Sequence, residues 1–243
     1  MPADVADLLA RLASLEGVAS AMAASRDGID VLLRDRGLRR STPDLTAESL
    51  LRGAHASGVL EGSETSLDAV RAGTGDEPAQ AAVRVSAELL GLVPTLAASP
   101  LQVFARLHTL AGKGVVGDDE LGRPRDAASA ARMADLARLL VTGTSAPALV
   151  VAAVVHAELA TVAPFVSHNG IVARAAERLV LVTRGVDPTS LIVPEAGHLA
   201  LRREYESNLR GYREGGSAGV HAWLLYAAEG YAAGAEASPV AQR

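Results

Sequence analysis

The sequence predicts an all-α fold, and its composition and residue spacing both indicate it. Hydrophobic residues make up 49% of the 243-residue chain and aromatic residues only 3%, so the core must be built from Ala, Leu and Val. Ala and Leu are the strongest helix formers, and Val is tolerated inside packed helices. Apolar residues recur at helical spacing, and no convincing alternating strand pattern occurs. One mostly helical unit with an N-terminal helical lobe is the simplest architecture.

The first hundred residues predict a succession of helices separated by turn residues. The opening helical stretch covers residues 4–38 and has leucines at helical spacing. The next helix has Thr46 as its candidate N-cap and ends at Gly62. Three later helices are predicted from residues that typically begin a helix. Ser63 or Thr65 precedes a short helix, Pro78 lies near the start of the next, and the pair Ser99-Pro100 begins the third.

A turn-rich polar segment, GKGVVGDDELGRPRD, interrupts the helical pattern between Gly112 and Asp126. It predicts an exposed loop or a small β-hairpin. Helices resume in residues 126–143 and continue to about residue 237. We therefore divide the chain into an N-terminal helical lobe, residues 1–95, and a core domain, residues 96–243.

Composition and charge exclude several functional classes. The net charge is −5, Lys113 is the only lysine and the arginines are scattered, which argues against a nucleic-acid surface. The absence of Cys excludes disulfides, Cys-ligated zinc, iron–sulfur clusters and thiol catalysis. Asp4 and Asp7 stand where a signal peptide needs positive charge, so we expect a cytoplasmic protein. The most apolar run, residues 146–166, is interrupted by prolines and polar residues and predicts a buried helix, with no membrane partner.

Familiar catalytic motifs are missing from the chain. The AGKGVV segment lacks the upstream Gly of a P-loop and the Ser or Thr that should follow Lys113. The HAE segment at His156 is half of a zinc deaminase signature without its cysteines. There is no HExxH, no second His at helical spacing and no GxSxG, so we predict no metal site and no hydrolase elbow.

The stretch ATVAPFVSHNGIVARAAERLV, residues 160–180, has the form of an anion-binding loop followed by a helix. Pro164 ends the preceding helix, and Asn169-Gly170 allows a turn that points backbone N–H groups inward. The positive end of the next helix faces this loop, and Arg174 lies one turn into that helix. On these residues alone, the alternative is a plain helix–loop–helix connection with a solvated Arg174.

This stretch resembles the signature of the Fic (Fido) family, His-Pro-Phe-x-Asp/Glu-Gly-Asn-Gly-Arg-x-x-Arg. The residues that match it in register are Pro164, Phe165, Asn169, Gly170 and Arg174. The likeness extends over residues 45 to 235 in a single order. Within it, FARLHTL…ELGRPR resembles the helix and flap upstream of the family's active site, where strand addition would dock a target peptide. A plain surface loop is the alternative for the flap.

The resemblance implies transfer of AMP from ATP to a protein hydroxyl. A His serves as base, an acid holds Mg²⁺, and two arginines bind phosphates. The chain departs from this set at four positions, where Ala163 replaces the base, Ser167 the acid, His168 the first Gly and Ile171 the first Arg. A positioned base is worth about 10²–10⁴-fold in rate, and a neutral hydroxyl is a poor Mg²⁺ ligand. The substitutions argue against ordinary AMP transfer, and His168 as a displaced base is the alternative.

A second segment, HASGVLEGSETSLDAV, resembles the inhibitory helix of family members that carry a Ser/Thr-x-x-x-Glu-Gly/Asn pattern. Ser57, Glu61 and Gly62 fit this pattern and place an inhibitory-type helix at about residues 47–62. In the family, the Glu of this helix pairs with the second motif Arg and blocks productive ATP binding. The resemblance therefore implies a pair between Glu61 and Arg174. The alternative is a pair between Arg174 and a neighbouring carboxylate, Glu158 or Glu177.

Two hypotheses for the function follow. In the first, the chain is a degenerate Fic-like protein that keeps Asn169, Gly170 and Arg174 as a phosphate or nucleotide loop and acts by binding an unknown protein partner. In the second, it is an active transferase of AMP or a related phosphate-containing group, with a rearranged site. ATP is the implied ligand in both, whereas Ser167 in place of the acid disfavours Mg²⁺. A homodimer stays open.

Overall fold

The computed structural model of the chain describes residues 7–34 and 42–242. Within these ranges the secondary structure is helical and contains no strand, so the all-α prediction is confirmed. The helices are α1 (Leu8–Ala13), α2 (Val18–Leu33), α3 (Thr42–Leu60), α4 (Leu67–Arg71), α5 (Glu77–Glu88), α6 (Val93–Ala98), α7 (Pro100–Gly112), α8 (Ala127–Val141), α9 (Ala148–Val162), α10 (Asn169–Thr183), α11 (Pro194–Ala200), α12 (Arg202–Glu214) and α13 (Gly216–Glu236), with a 3₁₀ turn at Leu89–Leu92 between α5 and α6.

Side-chain caps begin several of these helices, although not always at the predicted residues. The prediction of Thr46 as an N-cap is wrong, because α3 already begins at Thr42. The cap of α4 is Ser66, whose hydroxyl accepts a hydrogen bond from the Ala69 N–H at 3.2 Å. Ser63 instead donates to Asp76, the N-cap of α5, at 2.6 Å. The Thr65 hydroxyl accepts a hydrogen bond from the Asp76 N–H at 3.0 Å, so both predicted residues organise the entry to α5 rather than capping α4.

The predicted first helix is two helices, because the chain turns at Gly17 with a positive φ of 75° between α1 and α2. Residues 4–6 and 35–38 of that prediction lie outside the described residues.

Of the two alternatives predicted for residues 112–126, the exposed loop is confirmed and the small β-hairpin is wrong. In the structure this segment is a series of turns, and short-range backbone bonds such as Leu121 N–H to Gly117 O at 3.1 Å close them. The Gly122 N–H donates to the His108 ring and the Arg125 N–H donates to the Pro164 carbonyl, at 2.9 and 2.8 Å. Helix α7 and the loop between α9 and α10 (residues 163–168) thus form hydrogen bonds with backbone groups that a hairpin would have paired across strands.

Helices α9 and α10 form the centre of the molecule. Ten of the fifteen residues of α9 are buried, and α10 is buried from Ile171 through Leu181. Small residues let neighbouring helices approach closely, as at Gly197 of α11, where a Cβ would lie 2.1 Å from the Gly230 carbonyl oxygen of α13. Helix α3 packs against α5, α11 and α10 and brings its C-terminal end to the start of α10.

The hydrophobic core is continuous from Leu9 to Tyr231, on both sides of residue 95. The division of the chain at residue 95 therefore stays a prediction.

One helical run that the sequence analysis did not single out has the length and hydropathy of a membrane span. It covers residues 77–98, with a mean hydropathy of 1.4 in its most apolar window. In the structure the run consists of α5, the 3₁₀ turn and α6, and α5 packs against α3 and α7. The apolar helix α9 is shorter, at fifteen residues.

Candidate anion site at the start of helix α10

The loop between α9 and α10 is closed by its own asparagine. The Asn169 side chain accepts a hydrogen bond from the Phe165 N–H and donates one to the Phe165 carbonyl, both at 2.9 Å. Helix α9 ends at Val162, and its C-cap Ala163 has a left-handed φ of 47°. These two features turn the chain sharply, so that α10 begins only seven residues after α9 ends.

An aromatic contact anchors the same loop to α7. Phe165 is buried and stacks on the His108 ring, with centroids 4.3 Å apart and planes inclined by 5°. Burial lowers the pKa of His108 to about 4, and the proximity of His168 acts in the same direction. His108 is therefore a neutral core residue that supports the loop.

The first turn of α10 faces a carboxylate from the turn that follows α3. A Cβ built on Gly170 would lie 2.1 Å from Glu61 Oε1, so only the missing side chain of glycine leaves room for this oxygen. His168, the N-cap, has a left-handed φ of 56° and makes no side-chain capping bond to the helix. The first N–H groups of a helix attract negative charge. Glu61 thus supplies an anionic oxygen at the position where the sequence predicts an anion.

Glu61 also forms a salt bridge with Arg174. Arg174 Nη2 lies 2.7 Å from Glu61 Oε1, and the same guanidinium donates to the Ser57 hydroxyl and carbonyl at 2.9 and 3.1 Å. The Arg174 side chain is 2% exposed and that of Glu61 is 29% exposed. Burial opposes the charged form, but Tyr205 and Glu61 outweigh it and raise the pKa of Arg174 above its ordinary value.

The contact implied by the resemblance is therefore present, and the alternatives for Arg174 are wrong. Glu158 contacts Arg132 at 2.6 Å and Tyr212 at 2.8 Å. Glu177 binds a different set of buried side chains, described below. Gly62 follows Glu61 with a positive φ of 93°, a conformation that glycine adopts without strain and that ends the α3 segment.

The four positions that depart from the family signature have different environments. Ala163 offers a methyl group, and Ile171 is 2% exposed in the hydrophobic core, where it contributes to packing. Ser167 and His168 lie on the loop and hydrogen-bond to each other at 2.6 Å, and His168 also contacts Glu77 at 3.1 Å.

Comparison with solved structures finds the same architecture in other proteins. A Fic family protein from Desulfovibrio desulfuricans G20 superposes with a TM-score of 0.75 and 20% identity, over 92% of this chain and 74% of that chain. The present chain has a Fic-type fold. Fic-1 from C. elegans superposes with a TM-score of 0.70 and 16% identity, over 90% of this chain and 71% of that chain. No protein-family model and no curated protein matches the sequence.

Behind the site, the Fic-type fold buries a polar cluster that sequence reasoning missed. His156 Nδ1 and His198 Nε2 lie 2.8 and 2.9 Å from the same oxygen of Glu177, and all three side chains are fully buried. Tyr231 donates to the other Glu177 oxygen at 2.9 Å. The cluster joins α9, α10, α11 and α13, so no spacing within one helix signals it. Its only trace in the sequence is the set of polar residues inside apolar stretches.

A single assignment of protons satisfies this cluster. The Glu177 carboxylate only accepts, so each imidazole donates its N–H to it and accepts at its other nitrogen. These acceptors meet the Tyr205 and Tyr226 hydroxyls, at 2.9 Å from His156 Nε2 and 2.8 Å from His198 Nδ1. Burial lowers the pKa of His156 to about 4, whereas the two histidines outweigh burial and hold the pKa of Glu177 below its ordinary value.

The composition of this cluster, two histidines and a carboxylate with donor atoms within 4.8 Å, is one that can hold a metal ion. Each nitrogen or oxygen atom that could coordinate a metal already takes part in a hydrogen bond. We therefore interpret it as a hydrogen-bonded network.

The network reaches the anion site through one hydroxyl. Arg174 Nη1 donates to Tyr205 OH at 3.1 Å, and Tyr205 in turn donates to His156. Arg174 and Glu177 therefore bear opposite charges at the two ends of a short buried chain of hydrogen bonds. Arg174 has this internal counter-charge in addition to Glu61.

Arg178, one turn after Arg174, fixes α3 to the core. It donates to the Ile192 carbonyl at 2.6 Å and to Glu195 at 3.0 Å, and it also contacts Ser49 of α3. A Cβ on Gly53 would lie 2.3 Å from Arg178 Nη1, so the helix can approach only because this position is glycine. Sequence reasoning missed Arg178 because it lies outside the signature.

Two cavities, of about 330 and 450 Å³, lie between α1 and α8, away from this site.

Proposed function

We propose that this chain is a degenerate Fic-type protein that binds an anionic ligand at the start of α10 and acts by binding and regulation. The supporting observation is the position of the Glu61 carboxylate, which lies against Gly170 and 2.7 Å from Arg174. A carboxylate oxygen that lies against the first turn of a helix and is bound by a buried guanidinium is the arrangement that a phosphate oxygen would also adopt. Glu61 thus acts as an internal ligand that closes the site.

Standard AMP transfer is not supported by the side chains around this site. Ala163 has no atom that accepts a proton, and Ile171 is packed in the core. The donor set does not fit Mg²⁺, because Ser167 offers only a hydroxyl that already bonds to His168. We therefore derive no metal-dependent step for this protein.

Exchange of Glu61 for a ligand is consistent with the charges around Arg174. Removing one partner from a buried ion pair is costly when it leaves an isolated charge. Here the hydrogen bonds from Arg174 through Tyr205 and His156 to Glu177 remain when Glu61 leaves. Glu61 is also the more exposed member of the pair, so it is the partner that moves. A nucleoside triphosphate such as ATP is the ligand that the fold suggests.

Calorimetric titration tests this proposal. Mg²⁺-ATP and ATP with a chelator are titrated into the unaltered chain and into Glu61→Gly, with Glu64→Gly as the matched control. Glu64 lies in the same loop, is exposed and has no contact with Arg174. We expect binding by Glu61→Gly that is at least tenfold tighter than by the other two proteins, with little dependence on the metal. Equal or absent binding in all three would refute an anion site closed by Glu61.

The second candidate function is transfer of AMP or a related group by a rearranged site. The contact between Ser167 and His168 is the observation that favours it. A transferase should label itself or a protein in a lysate when it is given labelled ATP, and Arg174→Ala should abolish the signal. A binding protein should give no label and should still recover a specific partner.

A further inference from the structure

The loop before α10 contains a chain of hydrogen bonds that the anion site does not use. Ser167 Oγ lies 2.6 Å from His168 Nδ1, and His168 Nε2 lies 3.1 Å from Glu77 Oε1 at the start of α5. The side chain of His168 is 11% exposed and that of Glu77 is 40% exposed. A hydroxyl, an imidazole and a carboxylate joined in this order are the groups of an activated serine nucleophile.

The partners of His168 determine where its proton lies. The Glu77 carboxylate only accepts hydrogen bonds, so Nε2 of the ring carries the hydrogen. In the neutral ring Nδ1 then has a free lone pair, and the Ser167 hydroxyl donates to it. This is the protonation state in which an imidazole takes a proton from a hydroxyl. Arg84 Nη2, 3.5 Å from Glu77 Oε1, helps to hold the carboxylate in place.

The surroundings favour a phosphorus ester over a carboxylic ester as the electrophile. Gly170, three residues after Ser167, already accommodates an anionic oxygen of Glu61 against the first turn of α10. A phosphate monoester or diester carries anionic oxygens before and during attack, whereas a carboxylic ester is neutral until the oxyanion forms.

We propose that Ser167 is a nucleophile, activated by His168 and Glu77, that attacks phosphorus esters. The Oγ–P bond forms while the bond from phosphorus to the leaving oxygen breaks, and the leaving group departs with that electron pair. The hydroxyl proton passes to His168 Nδ1, and the Glu77 carboxylate stabilises the imidazolium. The product is the chain esterified on Ser167. This step rests on the anion site of the proposed function, which would hold the oxygens of the ester, and it bears on the second candidate function, because attack on a nucleotide would label Ser167.

A fluorophosphonate probe tests the nucleophile without requiring a nucleotide site. Attack by Ser167 forms the Oγ–P bond and expels fluoride, and mass spectrometry of the intact chain and its peptides measures the adduct. The probe is applied to the unaltered full chain and to Glu61→Gly, in which no carboxylate lies over Gly170. We expect one adduct, on Ser167, in at least one of these proteins, and no adduct after Ser167→Ala.

Three further variants separate an activated serine from a merely accessible one. His168→Asn should slow modification about 100-fold because the base is lost. Asn is chosen because it tolerates the left-handed backbone at this position. Glu77→Gln should slow it about tenfold, since the imidazolium loses its charged partner. Ser20→Ala removes an exposed hydroxyl on α2 that donates to the Gly17 carbonyl and should leave the rate unchanged.

Two results would overturn the proposal. One is the absence of a Ser167 adduct in both the unaltered chain and Glu61→Gly. The other is an unchanged rate in His168→Asn when its circular dichroism spectrum matches that of the unaltered chain. Calorimetry with ATP fails or succeeds independently of this reaction, so labelling without ATP binding would refute the nucleotide ligand and leave the nucleophile in place.

Discussion

Acidification should destabilise this protein through His156. Its ring is fully buried, and burial lowers its pKa to about 4 from an ordinary value of 6.5, although the Glu177 carboxylate acts in the opposite direction. The folded state therefore stays neutral at this position in a pH range where the unfolded chain binds a proton. Because the unfolded state binds more protons, stability falls as the pH drops below about 6.5 and levels off below about 4.

The size of the effect follows from these two pKa values. At pH 5 the unfolded His is protonated in a ratio of about 30 to 1, whereas the folded His156 is only about one tenth protonated. The difference corresponds to a loss of about 2 kcal/mol in the free energy of unfolding between pH 7 and pH 5. Glu177, whose pKa lies below its ordinary value, contributes little at pH 5 and acts mainly at lower pH. Burial also lowers the pKa of His108, which adds a loss in the same direction.

The single tryptophan reports on this region directly. Trp223 is buried, its ring centroid lies 5.3 Å from that of His156, and its indole N–H donates to the Ala153 carbonyl at 2.8 Å. Urea unfolding followed by its fluorescence at pH 7 and pH 5 gives the free energies for the unaltered chain and for His156→Gln. Gln can donate to Glu177 and accept from Tyr205 without titrating.

The comparison of the two proteins isolates His156 from the other titrating groups. The unaltered chain should lose about 2 kcal/mol more than His156→Gln on going from pH 7 to pH 5, whatever the stability of the variant at pH 7. Equal losses in the two proteins would refute the assignment of a neutral, buried His156 in the network.

Three further predictions concern polar pairing and packing in the helices. Glu177→Leu should lower the free energy of unfolding by about 3–5 kcal/mol, because it leaves buried N–H donors without an acceptor. Glu177→Gln should lower it by less than half as much. Urea unfolding at pH 7 measures both free energies, and equal losses in the two variants would contradict the network. Gly197→Ala should cost about 1–3 kcal/mol, because its Cβ would lie 2.1 Å from the Gly230 carbonyl oxygen. Gly28→Ala in α2, where a Cβ would meet none of the described residues within 4 Å, should instead stabilise the chain by up to about 1 kcal/mol in thermal unfolding.

Sequence reasoning anticipated those parts of the structure that depend on local chemistry. The all-α class followed from helix formers at helical spacing, and the loop before α10 followed from Pro164 and Asn169-Gly170. The contact between Glu61 and Arg174 was anticipated only through the family resemblance, because it joins residues 113 positions apart.

The misses arose where contacts between distant segments decide the outcome. The composition of residues 112–126 left an exposed loop and a small β-hairpin open. The loop forms because backbone groups of this segment bond to His108 on α7 and to Pro164 in the loop before α10. The prediction of Ser63 as a cap of the short helix is wrong for a similar reason, because its hydroxyl donates a hydrogen bond to Asp76.

The sequence by itself determined the helical class, the approximate order of helices, and the absence of the usual base and acid at Ala163 and Ser167. These properties depend on residue type and near-neighbour spacing, which the sequence states directly. Only the tertiary structure decided what surrounds the site: the Glu61 carboxylate over Gly170, and the network around Glu177. Buried polar groups must find partners wherever the packed helices bring them together, and that pairing depends on packing geometry that no local pattern encodes.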